Sequence, residues 1–209
     1  MLTWESVVMK NIVFDIGNVL VRWSPANIVE ATFGDVDNKH TLTESIFGHP
    51  LWTSLNMGEV TEAEAKETYK TLLSLDNATV DTLFHQIKET QVLVDGTVNL
   101  IERLKAAEYA IYALTDNVHE TVAHLRERYD FWQHFIAVVV SAEVNMMKPG
   151  AEIFKHLLEE HGLDPLATVF IDDHAPNIAG AQALGISSIQ FSNAKQCESD
   201  LRALGLVFK

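Results

Sequence analysis

The chain has 209 residues, 47% of them hydrophobic and only five of them proline, enough to bury a substantial core as one domain with a large insertion or as two small domains. Its 15 Lys and Arg against 29 Asp and Glu leave a formal net charge of −14, which argues against nucleic acid or any other partner held through a broad phosphate backbone. The single cysteine, Cys197, implies a reducing compartment, and no apolar run reaches the ~18 residues that span a bilayer, so the expectation is a cytoplasmic protein with no membrane partner.

Residues 1–8 precede a second methionine, Met9, and read as a start-site extension that contributes little. The first strand signal follows at 12–14, and others recur at 110–114, 136–140, 169–171 and 188–191. These runs are apolar throughout rather than alternating, as strands covered on both faces of a parallel sheet are. Between the last four lie apolar residues at helical spacing, such as Val98, Ile101 and Leu104, or Ile153, Leu157 and Leu158. The pattern is α/β. About 95 residues separate the first strand from the second, far more than an ordinary crossover needs. Within that gap strand signals vanish and helix signals dominate. Thr41 with Glu44 and Thr61 with Glu64 read as capping boxes, and Tyr69, Leu72, Leu73 and Leu83, Phe84, Ile87 form apolar stripes that would pack together as a small bundle. The expected organisation is a core of 9–23 and 96–209 with a helical insertion at 24–95.

Three strands end in polar residues that a buried sheet would not otherwise want: Asp15, then Thr115-Asp116-Asn117, then Asp172-Asp173. All lie at carboxyl ends, where open parallel sheets bind ligands. Each aspartate alone is equally a turn or helix-cap residue. Together, paired carboxylates in a partly desolvated cleft repel one another unless a cation neutralises them, and a hard divalent ion such as Mg²⁺ suits oxygen ligands and a phosphate substrate. Lys148, before Pro149-Gly150, adds a positive charge that can pair with Asp15 or with a phosphoryl oxygen.

These residues resemble the motifs of the haloacid dehalogenase (HAD) superfamily of aspartate-nucleophile hydrolases. Phe14-Asp15-Ile16-Gly17-Asn18-Val19 is similar to the first motif, Leu114-Thr115-Asp116-Asn117 to the second, Lys148-Pro149 to the third, and Phe170-Ile171-Asp172-Asp173 with Asn177-Ile178-Ala179-Gly180-Ala181 behind it to the fourth. Four motifs in order at strand ends make a specific signal, and the resemblance covers nearly the whole chain. The stretch from Phe47 to Trp52 and on through Met57-Gly58-Glu59-Val60-Thr61 resembles the helical C1-type cap of the branch that includes bacterial glucose-1-phosphate phosphatases. The resemblance implies a Rossmann-like core and a mobile cap. It further implies Asp15 as a nucleophile that forms an aspartyl-phosphate, and Mg²⁺ held by Asp15, the carbonyl of Gly17, Asp172 and Asp173. Thr115, Asp116 and Asn117 would bind the phosphoryl group, and Lys148 would balance charge in the transition state.

One position departs from the commonest pattern. Many phosphatases of this family carry a second aspartate two residues after the nucleophile as general acid and base, and Gly17 stands there instead. A positioned acid typically contributes ~10²–10⁴-fold, so its absence favours leaving groups that need little protonation. An anomeric hydroxyl is more acidic than other sugar hydroxyls, which points to a sugar 1-phosphate. His49 and His174 are candidates by type for a replacement acid, and Arg22 and Trp23 for shaping the pocket. The alternatives are a metal-independent dehalogenase, against which Asp172-Asp173 speaks, a catalytically weak phosphate-binding or regulatory protein, against which Asp15 speaks, and a phosphotransferase. The expected partner is a small phosphorylated molecule, with the chain a monomer or small homo-oligomer. His119-Glu120 and His124 are five apart rather than four, so they do not form a zinc-protease helix.

Overall fold

Runs of β-branched and aromatic residues build the strands, and the computed structural model of the protein, which describes residues 9–209, gathers them into one sheet. The reading of residues 1–8 lies outside the described residues. The strands are β1 (Asn11–Phe14), β2 (Ala110–Thr115), β3 (Ala137–Val140), β4 (Thr168–Asp172) and β5 (Ser187–Gln190). All are parallel, in the order β3-β2-β1-β4-β5. The α/β reading holds, and every strand lies where the apolar runs place it. Ile136 differs: it falls just before β3 and is 65% exposed, because the edge strand has only one neighbour to cover it.

The absence of alternation has a physical cause. Ile12 and Phe14 of β1, Ile111 and Ala113 of β2, and Val169 and Ile171 of β4 enter one buried cluster, whereas Val13, Tyr112, Leu114 and Phe170 enter another on the opposite face. Helices seal both faces. The helices outside the long insertion are α6 (Thr97–Ala106), α7 (His119–Arg128), α8 (Ser141–Val144), α9 (Ala151–Glu160), α10 (Ala175–Gln182) and α11 (Ala194–Ala203), preceded in the chain by α1 (Pro25–Phe33), α2 (Lys39–Phe47), α3 (Pro50–Asn56), α4 (Glu62–Leu72) and α5 (Asn77–Glu89). Leu100, Ile101, Leu104, Cys197 and Leu201 of α6 and α11 cover the first face, and Ile153, Phe154, Leu157 and Ile178 of α9 and α10 the second.

Helices α1 to α5 have a buried cluster of their own, including Ile28, Ile46, Leu55, Tyr69, Leu83, Phe84 and Ile87. The chain leaves the sheet and returns to it along paired segments: Val21 bridges Leu93 antiparallel, and Arg22 N–H donates to the Val92 carbonyl at 2.8 Å. The capping box at Thr61 and Glu64 is formed, with both reciprocal bonds present. That at Thr41 is not. The turn at Asp37-Asn38 starts α2 at Lys39, so Thr41 falls inside the first turn and lacks the extended backbone that an N-cap requires. Leu72 also departs from its expected stripe, being 46% exposed near the end of α4, while Tyr69 is buried with its hydroxyl donating to the Ile46 carbonyl at 2.7 Å.

Candidate active site

The strand order reverses between β1 and β4, and the crevice outside their carboxyl ends is where an open parallel sheet binds ligands. Register then decides which side chains meet there. Phe14 lies opposite Ile171, so Asp15, one residue on, stands level with Asp172 of the adjacent strand, and its N–H donates to the Ile171 carbonyl at 2.8 Å. Asp15, Asp172 and Asp173 each bring a carboxylate oxygen to within 4.8 Å of the others.

Lys148 organises this cluster. Its ammonium is buried and donates to Asp172 Oδ2 at 2.7 Å and to the Leu114 carbonyl at 3.0 Å, and it pairs with Asp15 Oδ1 at 2.9 Å. Its backbone N–H also donates to Asp116 Oδ1 at 3.1 Å. Burial disfavours the charge on Lys148, but Asp15 and Asp172 outweigh that and raise its pKa above the ordinary lysine value. Burial pushes Asp15 up to about 7 against the pull of Lys148, and raises Asp116 and Asp173 by the same dominant cause. The site therefore holds more carboxylates than Lys148 alone can balance, a donor set of hard oxygens suited to a divalent cation such as Mg²⁺.

Within the cluster the aspartates differ. Asp172 is wholly buried, and its oxygens accept from Lys148 Nζ, from Asn177 Nδ2 at 2.9 Å and from the His174 N–H at 2.7 Å. Asp173 is less enclosed and accepts from Asn18 Nδ2 at 3.1 Å. Asp15 directs Oδ1 at Lys148 and at the Ile16 N–H, 2.7 Å away, while Oδ2 accepts no hydrogen bond among the described residues.

A cavity of about 420 Å³ opens from these groups toward α3. Of the residues singled out in the sequence, Asp15, Gly17, Asp116, Asn117, Lys148 and Asp173 line it. Thr115 ends β2 beside them and is buried, outside the lining; Asp172 lies beneath it. Trp23 and His174 line the cavity too, whereas Arg22 is exposed and does not. His49 is also outside it: its Nδ1 accepts from the Leu51 N–H at 3.1 Å and so caps α3. Sequence reasoning missed the roles of Asn18, whose amide ties Asp173 to the Trp23 N–H, of Asn177, and of Trp52, Asn56 and Gln91 in the wall. Asn18 carried a signal, since it directly follows the Gly17 that departs from the common pattern.

The family model for haloacid dehalogenase-like hydrolases matches residues 9–185. The chain belongs to this family. As a haloacid dehalogenase-like hydrolase it is similar along most of its length to a sesquiterpene phosphatase of Aspergillus oryzae, 24% identical, with 93% of this chain and 96% of that protein covered. It is 25% identical to a chloroplast flavin mononucleotide hydrolase of Arabidopsis thaliana, over 93% of this chain and 77% of that one. A HAD family enzyme of Bacteroides thetaiotaomicron, crystallised with magnesium and inorganic phosphate, shares the fold with a TM-score of 0.75 at 24% identity, over 88% of this chain and 95% of that one.

Proposed function

We propose that this hydrolase is a Mg²⁺-dependent phosphatase of a small phosphomonoester, with a sugar 1-phosphate as the substrate and an aspartyl-phosphate on Asp15 as the intermediate. The observation that carries this reading is Asp15 itself. It is an enclosed carboxylate at the switch point, with one oxygen fixed by Lys148 and the other unbonded at the floor of the cavity. Phosphatases among its relatives, and a magnesium-and-phosphate complex of the same fold, support the choice of reaction.

Asp15 Oδ2 attacks phosphorus as the P–O bond to the leaving alkoxide breaks, and water then attacks the aspartyl-phosphate to release inorganic phosphate and restore the carboxylate, so that covalent catalysis divides one hard displacement into two easier ones. Lys148 holds Asp15 in place and lowers the cost of charge on the transferring group. Thr115, the N–H of Asp116 and the side-chain amide of Asn117 orient phosphoryl oxygens, the Asn117 N–H itself being held by the Ser141 hydroxyl. Asp15, the carbonyl of Gly17, Asp172 and Asp173 are the residues that would hold Mg²⁺, Asp172 with the fewest free lone pairs. The cation supplies charge neutralisation and a template for the phosphate. Helices α1 to α5, residues 24–95, serve as the cap over the core of 9–23 and 96–209, in the manner of the glucose-1-phosphate phosphatase branch. The buried thiol of Cys197, pushed up to about 12 by its enclosure, suits a reducing, cytoplasmic setting.

Gly17 sets the substrate preference, because without an acid at that position the leaving group must depart with little help. Phosphate release from sugar phosphates with Mg²⁺ or EDTA, beside Asp15→Asn, tests the whole reading. Activity should require both the metal and Asp15 and should fall by at least about 10³-fold in the variant. Equal or faster release from glucose 6-phosphate than from glucose 1-phosphate would count against the leaving-group argument.

A further inference from the structure

The cavity has a charge pattern that bears on what the phosphoryl group is attached to. Among the described residues lining it, the acidic and basic side chains are Asp15, Asp116, Lys148, Asp173 and His174. Lys148 is the one fixed cation of that set, and its ammonium is fully engaged. Asp15 Oδ1 at 2.9 Å, Asp172 Oδ2 at 2.7 Å and the Leu114 carbonyl at 3.0 Å match its three N–H donors. His174 is an imidazole, not a permanent cation. Away from the aspartates the walls are amides, those of Asn56, Gln91 and Asn117, and the indoles of Trp23 and Trp52. The two indoles stack with centroids 5.5 Å apart and planes at 11°, each covering part of the other and together lining the cavity with an apolar patch.

We infer that this site takes phosphomonoesters whose leaving group is uncharged and rejects those that carry a second phosphate or a carboxylate. The inference rests on the phosphatase reading of the same site and narrows it to a substrate class. A second anion would enter a cavity that offers it no free ammonium or guanidinium, inside a chain of net charge −14. It would lose water and gain no partner, and a missing partner discriminates as strongly as a clash. A neutral polyol or ring meets the reverse situation. Asn56 and Gln91 each spend one N–H on a backbone carbonyl, of Trp52 and of Ile87, which leaves each amide a second N–H and an oxygen for a hydroxyl, and the apolar face of the leaving group meets the indoles.

The test compares matched pairs with Mg²⁺ present: glucose 1-phosphate against glucose 1,6-bisphosphate, and glycerol 3-phosphate against 3-phosphoglycerate. Each compound is read by phosphate release and by the shift it produces in thermal unfolding. The second anion should lower kcat/KM by about tenfold or more in each pair and should produce the smaller thermal shift. A second arm puts a cation into the wall. Thr53 is exposed on α3 and lines the cavity, so Thr53→Lys should raise kcat/KM for the bisphosphate severalfold relative to the monophosphate. Equal turnover or equal stabilisation by the doubly anionic members, or a folded Thr53→Lys that gains nothing for them, overturns the inference. Failure of the phosphatase reading alone is distinguishable: all four compounds would release no phosphate, while the ranking of thermal shifts would still favour the singly anionic members and support the charge selection.

Discussion

Asp15 couples chemistry, metal and pH in a single side chain. Burial raises it from 3.8 to about 7, so in the metal-free protein it keeps a proton that the unfolded chain has already released. Its contribution to stability is full below pH 3.8 and is lost as pH rises through about 7, because there the folded state must ionise a buried group. A divalent cation binds the ionised form and reverses that loss. The rise in Tm on adding Mg²⁺ should therefore be larger at about pH 8 than at about pH 6, and equal rises at both would show that Asp15 is not the group being neutralised. Lys148 makes the complementary case. Replacing it by Met leaves Asp172, wholly buried, with a charge that only neutral donors face, and breaking a buried pair in this way costs about 3–5 kcal/mol. Chemical denaturation of Lys148→Met should show a loss of that order, together with loss of turnover. Carboxylates at strand ends were legible in the sequence because several of them follow apolar runs, a conjunction that turn or cap chemistry at one position does not produce. The amide side chains that hold them were not. Asn18 and Asn177 act through geometry that only the register of β1 and β4 creates, and an asparagine in a turn is ordinary without that register.

At the scale of elements, helices α1 to α5 meet the rest of the chain through Val118, which joins their buried cluster, through Arg128 on Glu89, and through small polar side chains that bond the backbone at the end of α3. Ser141, at the start of α8, donates to the Asn56 carbonyl at 2.7 Å and accepts from the Asn117 N–H at 2.9 Å, so one hydroxyl joins the end of α3 to the loop after β2. Asn145 adds a bond to the Met57 carbonyl at 2.7 Å. Between them Gly58, at φ +69°, packs so tightly that an added Cβ would lie 2.3 Å from the Ala142 carbonyl oxygen. Gly58→Ala should therefore cost about 1–3 kcal/mol and lift α3 from α8, lowering kcat/KM by about tenfold because Trp52 and Asn56 would no longer face Asp15. Turnover and unfolding of the variant check this, and an unchanged enzyme would show that the insertion does not seat through Gly58. The strands could be read from unbroken apolar runs because both their faces are buried, and most helices from apolar residues at helical spacing because one face is. The start of α2 could not, since the turn at Asp37-Asn38 competes with the Thr41 and Glu44 signal and only the folded backbone decides between them. The same holds for Gly58, where the demand for glycine comes from a helix distant in sequence.

Charge is a property of the whole molecule, and here it opposes the proposed chemistry. A chain of net charge −14 repels an anionic substrate at long range, so binding depends on short-range attraction: the positive charge of Lys148, the Asp116 N–H after β2, and the cation that the carboxylates would hold. Local interactions in an enclosed cleft are screened much less by salt than fields across open solvent, where the Debye length is ~10 Å at 0.1 M ionic strength. Raising ionic strength with a non-coordinating salt at fixed free Mg²⁺ should thus weaken the repulsion more than the attraction. The expected result is a kcat/KM that stays level or rises up to about twofold between low and moderate salt. A steep fall would mean that an attractive field guides the substrate in, and would require a positive surface near the cavity mouth. Arg22 is the nearest candidate in sequence, exposed beside Trp23 on the segment that links β1 to α1. Repeating the salt series on Arg22→Gln would then locate the field: a slope abolished by the substitution places it at the junction of insertion and sheet, and a slope retained places it elsewhere on the surface.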